Sequence, residues 1–252
     1  MSEKLPAYRR VLAELRDLIL SGQLAEGDRL PTVREISERY GVPTGTASQA
    51  VSQLQAEGFV VKRHGSGAFV RRFQTIPRSS PSRLSRARWS AGGEIQQVDT
   101  GQRSRSVDVV IGEVDAPEWV AEPLGLAAGQ RVIYRSRRFI VDERPVQLAT
   151  SYFAVEVARG TAIMHTDTGP GGVYARLAEQ GCAPATFTEY LRARMPLPDE
   201  SDKLELPGGT PVVEITRHAI DGGGRCVEVN RMILDGSVYL LDYTFPADSP
   251  TS

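Results

Sequence analysis

The chain has 252 residues, which is enough for two domains with a hydrophobic core in each. Its formal net charge is only −1, but residues 1–88 carry 15 Lys and Arg against 8 Asp and Glu, whereas the remainder carries 15 against 23. This asymmetry indicates a nucleic-acid-binding front half joined to a half that avoids nucleic acid. A chance fluctuation in surface charge is the alternative.

The cysteine content and the lengths of the apolar runs indicate the cellular compartment in which the protein resides. Only two cysteines occur, Cys182 and Cys226, far apart and without metal-ligand spacing. They predict neither a disulfide framework nor a zinc site and are typical of a reducing compartment. The first residues lack the apolar core of a signal peptide, and no apolar run approaches the length of a membrane span. We therefore expect a soluble, cytoplasmic protein with no membrane contact.

Two helices are predicted at the start of the chain. The first covers residues 6–21, where six apolar residues share one face. The second is predicted to start at Val33, because Thr32 and Glu35 form a capping-box pattern, and to end at Gly41.

A third helix and a hairpin are predicted next. Thr44 is a suitable N-cap, and apolar residues recur from Ala47 at helical spacing, while the opposite face is small, polar and uncharged. Gly58 ends this helix, and two strands that begin at Phe59 and Ala68 flank a glycine-containing turn. A helix-turn-helix followed by such a wing is typical of a protein that places one helix in the major groove of DNA.

The character of the sequence changes over residues 72–88. Arginines alternate there with proline and serine, and the apolar periodicity is lost. We interpret this stretch as a basic linker between a DNA-binding domain of residues 1–71 and a second domain of residues 89–248. Its arginines either contact DNA phosphates or are solvated, and the sequence leaves both possibilities open.

Hairpins dominate the second domain. Two strand pairs are joined by Asp142-Glu143 and by three successive glycines at 222–224, both of which are hairpin signals. The predicted strands are residues 131–141, 145–153, 186–194, 211–220, 225–234 and 238–245, and the predicted helices are residues 116–124 and 172–180. This pattern predicts an antiparallel sheet covered by helices, and an α+β protein overall.

The second domain also contains an internal repeat with an offset of 80 residues. Seven positions between Leu124 and Ile140 recur between Leu204 and Ile220. The repeat predicts two similar halves that meet at a cleft, with Arg137 and Arg217 at related positions. Chance similarity between strand-rich segments is the alternative.

The two parts of the chain resemble two known modules. The front part is similar to the winged helix of GntR-family bacterial transcription regulators, and the matching residues are Leu30-Pro31-Thr32, Arg34-Glu35, Tyr40-Gly41-Val42, Leu54 to Gly58 and Gly65 to Val70. Residues 85–247 resemble the effector-binding UTRA domain of the HutC-like subfamily, whose fold is similar to chorismate lyase. The matching residues are Arg137, Pro145-Val146, Thr150-Ser151-Tyr152, Gly171 to Tyr174, Val227-Glu228-Val229 and Tyr239.

The resemblance implies a homodimeric regulator, usually a repressor, that leaves its operator when a small metabolite binds the second domain. Thr44 and Ser48 depart from the family, which commonly has arginines there in the recognition helix. This predicts an unusual operator or more reliance on backbone and wing contacts. Val33 replaces a family glutamate, and Phe139 stands where the effector domain commonly has a second arginine.

Ten residues are candidates for contact with double-stranded DNA. Thr46 and Gln49 are the predicted base readers, because they face away from the apolar stripe and glutamine can pair bidentately with adenine. Small residues at a helix N-terminus can approach phosphates closely. The remaining candidates are Arg34, Thr44, Gly45, Ser48, Lys62, Arg63, His64 and Gly65. A solvated surface residue is the alternative for each.

Six residues are candidates for effector binding. Arg137 is the first, because an inward-facing cation on a strand needs an anionic partner, and a ligand carboxylate or phosphate would serve. A structural ion pair with Glu228 or Glu189 is the alternative. The resemblance adds Ser151, Gly172, Tyr174, Glu228 and Tyr239.

Catalytic signatures are missing from the sequence. His165 and His218 have no Ser or Cys arrangement of a nucleophile and base, and no metalloprotease, phosphate-loop or dinucleotide-binding motif occurs. We therefore predict no catalytic residue, metal or cofactor, and no enzyme activity. The alternative is a small-molecule enzyme of chorismate-lyase-like fold fused to a DNA-binding module, although fold alone does not confer chemistry.

Overall fold

The computed structural model describes residues 6–63, 65–71, 75–93, 104–127 and 129–244. The chain divides into two compact units, one of residues 1–74 with 206–210 and the other of residues 75–205 with 211–252. Within the described ranges, no helix combines the length and apolar character needed to cross a membrane.

The first unit contains three helices followed by a two-stranded antiparallel hairpin. These elements are α1 (Ala7–Leu20), α2 (Val33–Tyr40), α3 (Thr44–Ala56), β1 (Val60–Arg63) and β2 (Gly67–Val70). All five contribute buried apolar side chains to one core, because each presents a single apolar face. The predicted winged helix-turn-helix is therefore confirmed.

Local signals in the sequence determine where α2 and α3 begin and end. The hydroxyl of Thr32 accepts a hydrogen bond from the amide of Glu35, whose carboxylate accepts one from the amide of Thr32 at 2.6 Å. Gly41 ends α2 with a left-handed φ of 61°. The prediction of Thr44 as an N-cap was wrong, because Pro43 occupies that position and Thr44 is the first residue of the helix.

The stretch predicted as a basic linker contains regular structure. It forms β3 (Ile76–Ser79), α4 (Ser80–Arg83) and, at its end, α5 (Arg86–Ser90). Arg78 and Arg83 are buried, so neither of the two expected environments, phosphate or solvent, applies to them. The missing apolar periodicity therefore reflects short ordered elements that bury arginines.

The second unit is built on a six-stranded antiparallel sheet with the spatial order β4-β5-β6-β9-β8-β7. The strands are β4 (Ser104–Asp115), β5 (Arg131–Val141), β6 (Arg144–Ala154), β7 (Pro184–Arg194), β8 (Val212–Asp221) and β9 (Cys226–Asp235). Asp142 and Glu143 both have positive φ at the β5–β6 turn, which confirms this hairpin. The final predicted strand is shorter, β10 (Tyr239–Asp242), and pairs in parallel with β3 outside the main sheet.

The sheet consists of two similar halves, β4-β5-β6 and β9-β8-β7. Helix α6 (Glu118–Leu124) precedes β5 and contacts β9, whereas α9 (Pro198–Leu204) precedes β8 and contacts β6. The halves meet where β6 pairs with β9. This arrangement is what the 80-residue repeat predicted, and it places Arg137 on β5 and Arg217 on β8 at corresponding positions.

Short helices and loops cover one face of the sheet. They include α7 (Val155–Ala158), a 3₁₀ turn (Ala162–Met164) and α8 (Gly172–Glu179). Their apolar residues form a core with Ile133, Phe153 and Ala219 of the sheet. This covered face carries the site described next.

Candidate functional site

A row of polar side chains crosses the covered face of the sheet. The strand register pairs Arg135 with Ser151, Ser151 with Asn230, Asn230 with Arg217, and Arg217 with Glu189. Directly paired residues point to the same face, so these five side chains form one continuous row. All five are largely buried. The interior of this domain is therefore polar along one line across the strands.

A cavity of about 450 Å³ lies over this polar row. Its floor also includes Arg137 and Phe139 of β5, Gln147 of β6, and Glu228 and Met232 of β9. Its walls come from residues 104–106, residues 166–169, residues 171–174 and Arg83. A cavity of this size is typical of a site for a small molecule.

The charges around the cavity are mainly positive. Two carboxylates, Asp167 and Glu228, face five arginines, which are Arg83, Arg105, Arg135, Arg137 and Arg217. Four of these guanidinium groups are buried or half-buried, whereas Arg105 is exposed and paired with Glu143. Such an excess of positive charge favours an anionic occupant.

Arg135 holds the wall of the cavity in place. Its guanidinium donates hydrogen bonds to the carbonyl oxygens of Ile163, His165 and Thr166, the last at 2.7 Å. Burial lowers the pKa of Arg135 to about 10, and the neighbouring charge of Arg137 acts in the same direction. Arg135 therefore remains a cation at neutral pH and fixes the loop before α8.

Arg137 is half-buried at the edge of the cavity, and its Nη1 donates to the hydroxyl of Ser151 at 3.4 Å. Burial lowers the pKa of Arg137; Glu228 opposes this effect and Arg217 adds to it. The ion pair with Glu189 that the sequence left open belongs instead to Arg78 and Arg217. Glu228, the other partner that the sequence left open, attracts Arg137 electrostatically, and both side chains line the cavity.

Several buried polar atoms at the floor lack hydrogen-bond partners among the described residues. They are both amide atoms of Gln147, Oδ1 of Asn230, and Nε and Nη1 of Arg217. Buried polar groups in proteins are almost always hydrogen-bonded, so bound water or a ligand with its own donors and acceptors would satisfy these atoms.

Tyr174 and Glu228 connect the helix at the wall to the sheet at the floor. The Tyr174 hydroxyl donates to Glu228 Oε2 at 2.9 Å. Burial raises the pKa of Tyr174 well above its ordinary value, and the charge of Glu228 raises it further although Arg217 opposes both. Tyr174 therefore remains a neutral donor, and its ring lies 5.6 Å from the guanidinium carbon of Arg217.

The turn before α8 requires glycine. Gly171 has a φ of 78°, and a Cβ atom there would lie 2.5 Å from the carbonyl oxygen of Trp89. Gly172 also has positive φ, 63°, and lines the cavity. This turn brings the beginning of α8, with Tyr174, against the sheet.

Four of the six residues predicted to bind an effector line the cavity, namely Arg137, Gly172, Tyr174 and Glu228. Ser151 lies in the buried row beside Arg137. Tyr239 lies on β10 in the adjacent apolar cluster with Phe139 and Met232.

Sequence reasoning missed Arg135, Gln147 and Asn230 as cavity residues. The two-residue period of a strand was a usable signal, because Arg135 must share a face with Arg137. Gln147 and Asn230 had no such signal, since only the register across three strands brings them to the same place. Arg217 was indicated by the repeat alone.

The predicted DNA-reading face of α3 is accessible. Thr44, Gly45, Ser48 and Gln49 are exposed and Thr46 is partly exposed, whereas the opposite stripe of the helix is buried in the core. This half of the helix contains no charged side chain. Its contacts with a duplex would therefore be hydrogen bonds and close backbone approaches.

The predicted wing contacts are exposed as well. Lys62 donates to the hydroxyl of Ser52 at 3.4 Å, and the guanidinium of Arg63 lies 4.8 Å from the centre of the Phe69 ring. Gly65 is exposed at the tip, and His64 lies outside the described residues. The positive charges at the root of the hairpin thus face solvent.

Arg34 on α2 is highly exposed and pairs with Glu38 at 2.9 Å. Because exposed ion pairs contribute little, this pair would not prevent Arg34 from contacting a phosphate.

Comparison with known proteins identifies both parts of the chain. Residues 7–70 match the bacterial regulatory proteins of the gntR family, and residues 99–239 match the UTRA domain. The HTH-type transcriptional regulator SCO4628 of Streptomyces coelicolor is 30% identical over 97% of this chain and 94% of its own length. The HTH-type transcriptional repressor NagR of Bacillus subtilis is 22% identical over 93% of both chains.

A solved structure agrees with these matches. The crystal structure of a GntR-family transcriptional regulator superposes with a TM-score of 0.68 at 30% identity, covering 97% of this chain and 99% of the other. The chain therefore belongs to the GntR family of transcription regulators and carries a helix-turn-helix domain followed by a UTRA effector domain.

Proposed function

We propose that this regulator is a cytoplasmic repressor that binds its operator as a homodimer and leaves it when a small anionic metabolite enters the cavity. The observation that carries the proposal is the cavity floor, where buried Arg217, Gln147 and Asn230 present unpartnered polar atoms beside Arg137. A ligand with an anionic group and further hydrogen-bonding groups would satisfy these atoms.

The DNA-binding residues of the proposal are those on the exposed half of α3 and at the wing. Gln49 and Thr46 read bases, while the small residues at the start of α3 let the helix approach the phosphates. Arg34 contacts the backbone or a base edge, Lys62 and Arg63 contact the backbone, and His64 and Gly65 enter the minor groove. Two such modules are needed because one recognition helix reads only a few base pairs.

The same cavity does not favour catalysis. Its described lining offers hydroxyl groups of serine and threonine but no histidine or cysteine, so no residue pairs a nucleophile with a base of the usual kind. The relatives named above are transcription regulators. We infer that the domain binds its ligand without converting it.

The proposal is tested by titrating the full-length protein on DNA fragments that surround its own gene, at two salt concentrations. We expect one fragment to bind much more tightly than the others, with a protected site of two-fold symmetry. Equal affinity for every fragment would contradict sequence-specific repression.

A further inference from the structure

Glu189 on β7 lies between the cavity and the segment at the start of the second unit. Arg78 Nη2 donates to its Oε1 at 3.0 Å, and Arg217 Nη1 lies 3.7 Å from the same oxygen. The hydroxyl of Ser80 donates to its Oε2 at 2.7 Å. Its side chain is 7% exposed. One buried carboxylate thus joins a cavity arginine to two residues of β3 and α4.

Three of the partners of Glu189 lie in two different parts of the domain. Arg217 lines the cavity. Arg78 and Ser80 lie in residues 76–83, the first described elements after the chain leaves the DNA-binding unit at residue 74. Glu189 therefore contacts both a cavity residue and the first described elements after residue 74.

We propose that Glu189 couples occupation of the cavity to the stability of residues 76–83. An anion in the cavity pairs with Arg217 and withdraws its guanidinium from Glu189. The carboxylate is then left to Arg78 and Ser80, which hold the segment more tightly. The inference rests on the proposed effector role of the cavity and names the residue through which an effector acts.

The direction of the coupling follows from the shared oxygen. Two guanidinium groups that approach the same oxygen repel each other, and a bound anion neutralises one of them. Arg217 makes no hydrogen bond through Nη1 in the described structure and approaches Glu189 only to 3.7 Å, so its contact with the carboxylate is weaker than the 3.0 Å hydrogen bond of Arg78. Arg78 is fully buried beside Met232 and has no comparable freedom.

The experiment is hydrogen–deuterium exchange of residues 76–83 in the full-length protein, with and without inorganic phosphate, compared with sulfate. In the wild type we expect either anion to slow exchange there by about fivefold or more, a typical size for coupling between two sites. Glu189→Gln should bind phosphate more tightly than the wild type, because the substitution removes the carboxylate that competes for Arg217. In the same variant, phosphate should no longer slow hydrogen exchange of residues 76–83.

Two further variants separate coupling from general damage. Ser80→Ala removes one contact to the segment without touching Arg217, so phosphate affinity should be unchanged and the protection reduced. Tyr243→Phe removes a different hydrogen bond to Glu189, at 3.3 Å, and should retain the protection.

Three results would overturn the inference: no anion-dependent protection in the wild type, unchanged protection in Glu189→Gln and Ser80→Ala, or weaker phosphate binding in Glu189→Gln. Operator binding is measured separately on the same proteins. Sequence-specific DNA binding without this protection would leave the proposed repressor function intact and reject only the role of Glu189.

Discussion

Tyr174 and Glu228 form a buried hydrogen bond of 2.9 Å between α8 and β9, two elements that are separate in sequence and meet at the cavity. Because both groups are buried, Tyr174→Phe leaves a carboxylate oxygen without its donor. We predict a loss of about 1–3 kcal/mol in the free energy of unfolding, measured by urea denaturation.

Tyr190→Phe is the matched control for that loss. Tyr190 is 60% exposed on β7, so removal of its hydroxyl should change the unfolding free energy by less than about 0.5 kcal/mol. Equal effects of the two substitutions would contradict the structural importance of the Tyr174–Glu228 pair.

Arg137 should determine whether anionic compounds bind. In a thermal-shift screen of anionic metabolites, compounds that raise the Tm of the wild type should lose roughly 10- to 100-fold in affinity in Arg137→Met, because a charge-assisted hydrogen bond contributes about 1.5–3 kcal/mol.

Arg138→Met provides the control for Arg137. Arg138 is the next residue on β5, points to the other face of the sheet and pairs with Asp108 at 2.8 Å. The Arg138→Met variant should bind the same compounds as the wild type, with the same affinity. If both variants lose the response equally, the arginine at the cavity edge is not the one that recognises the anion.

Gln49 and Lys62 should affect DNA binding in different ways. Gln49→Ala should cost about 1–3 kcal/mol at one base pair of each half-site, whereas Lys62→Ala should weaken binding to all sequences and reduce the salt slope by about 1. Quantitative mobility shifts on operator variants measure both effects. Gln53→Ala, one turn further along α3 and paired with Glu57 at 3.2 Å, is the control and should retain the preference at that base pair.

The stability of the second domain should depend on pH through Glu200. Arg194 donates two hydrogen bonds of 2.7 Å to its carboxylate, and the amide of Leu197 donates another at 2.9 Å. Burial acts to raise the pKa of Glu200, but these hydrogen bonds lower it below the ordinary value. As the pH falls, Glu200 is therefore protonated at a higher pH in the unfolded state than in the folded state.

The stabilisation by Glu200 is present above its unfolded pKa of about 4.3 and is lost as the pH falls through the lower folded value. Glu200→Gln should reduce the Tm at pH 7, and its difference in Tm from the wild type should narrow as the pH falls below about 4. Asp199→Asn, at an exposed neighbour on α9, should leave the pH profile unchanged. A difference that stays constant with pH would exclude this carboxylate as the titrating group.

The elements with local signals were predictable from the sequence. The capping box of Thr32 and Glu35, the glycine at the end of α2 and the turns at 142–143 and 222–224 each act within a few residues. The repeat predicted the two halves of the sheet because it depends on sequence similarity alone.

The elements without such signals were missed. Strand β4 was not predicted, because Asp108 takes positive φ at a register shift between Val107 and Val110 that interrupts the alternation of polar and apolar residues. The burial of Arg78 depends on Glu189, which is 111 residues away in sequence. The full cavity floor required the register of four strands, which pattern and composition do not encode.

The most direct test of the account is the dissociation constant of the operator complex, measured by fluorescence anisotropy with and without a metabolite that binds the cavity. For the wild type we predict at least about tenfold weaker operator binding at saturating ligand, and for Arg137→Met no change at the same concentration. An operator affinity that is independent of the ligand in the wild type would contradict control of DNA binding by this cavity.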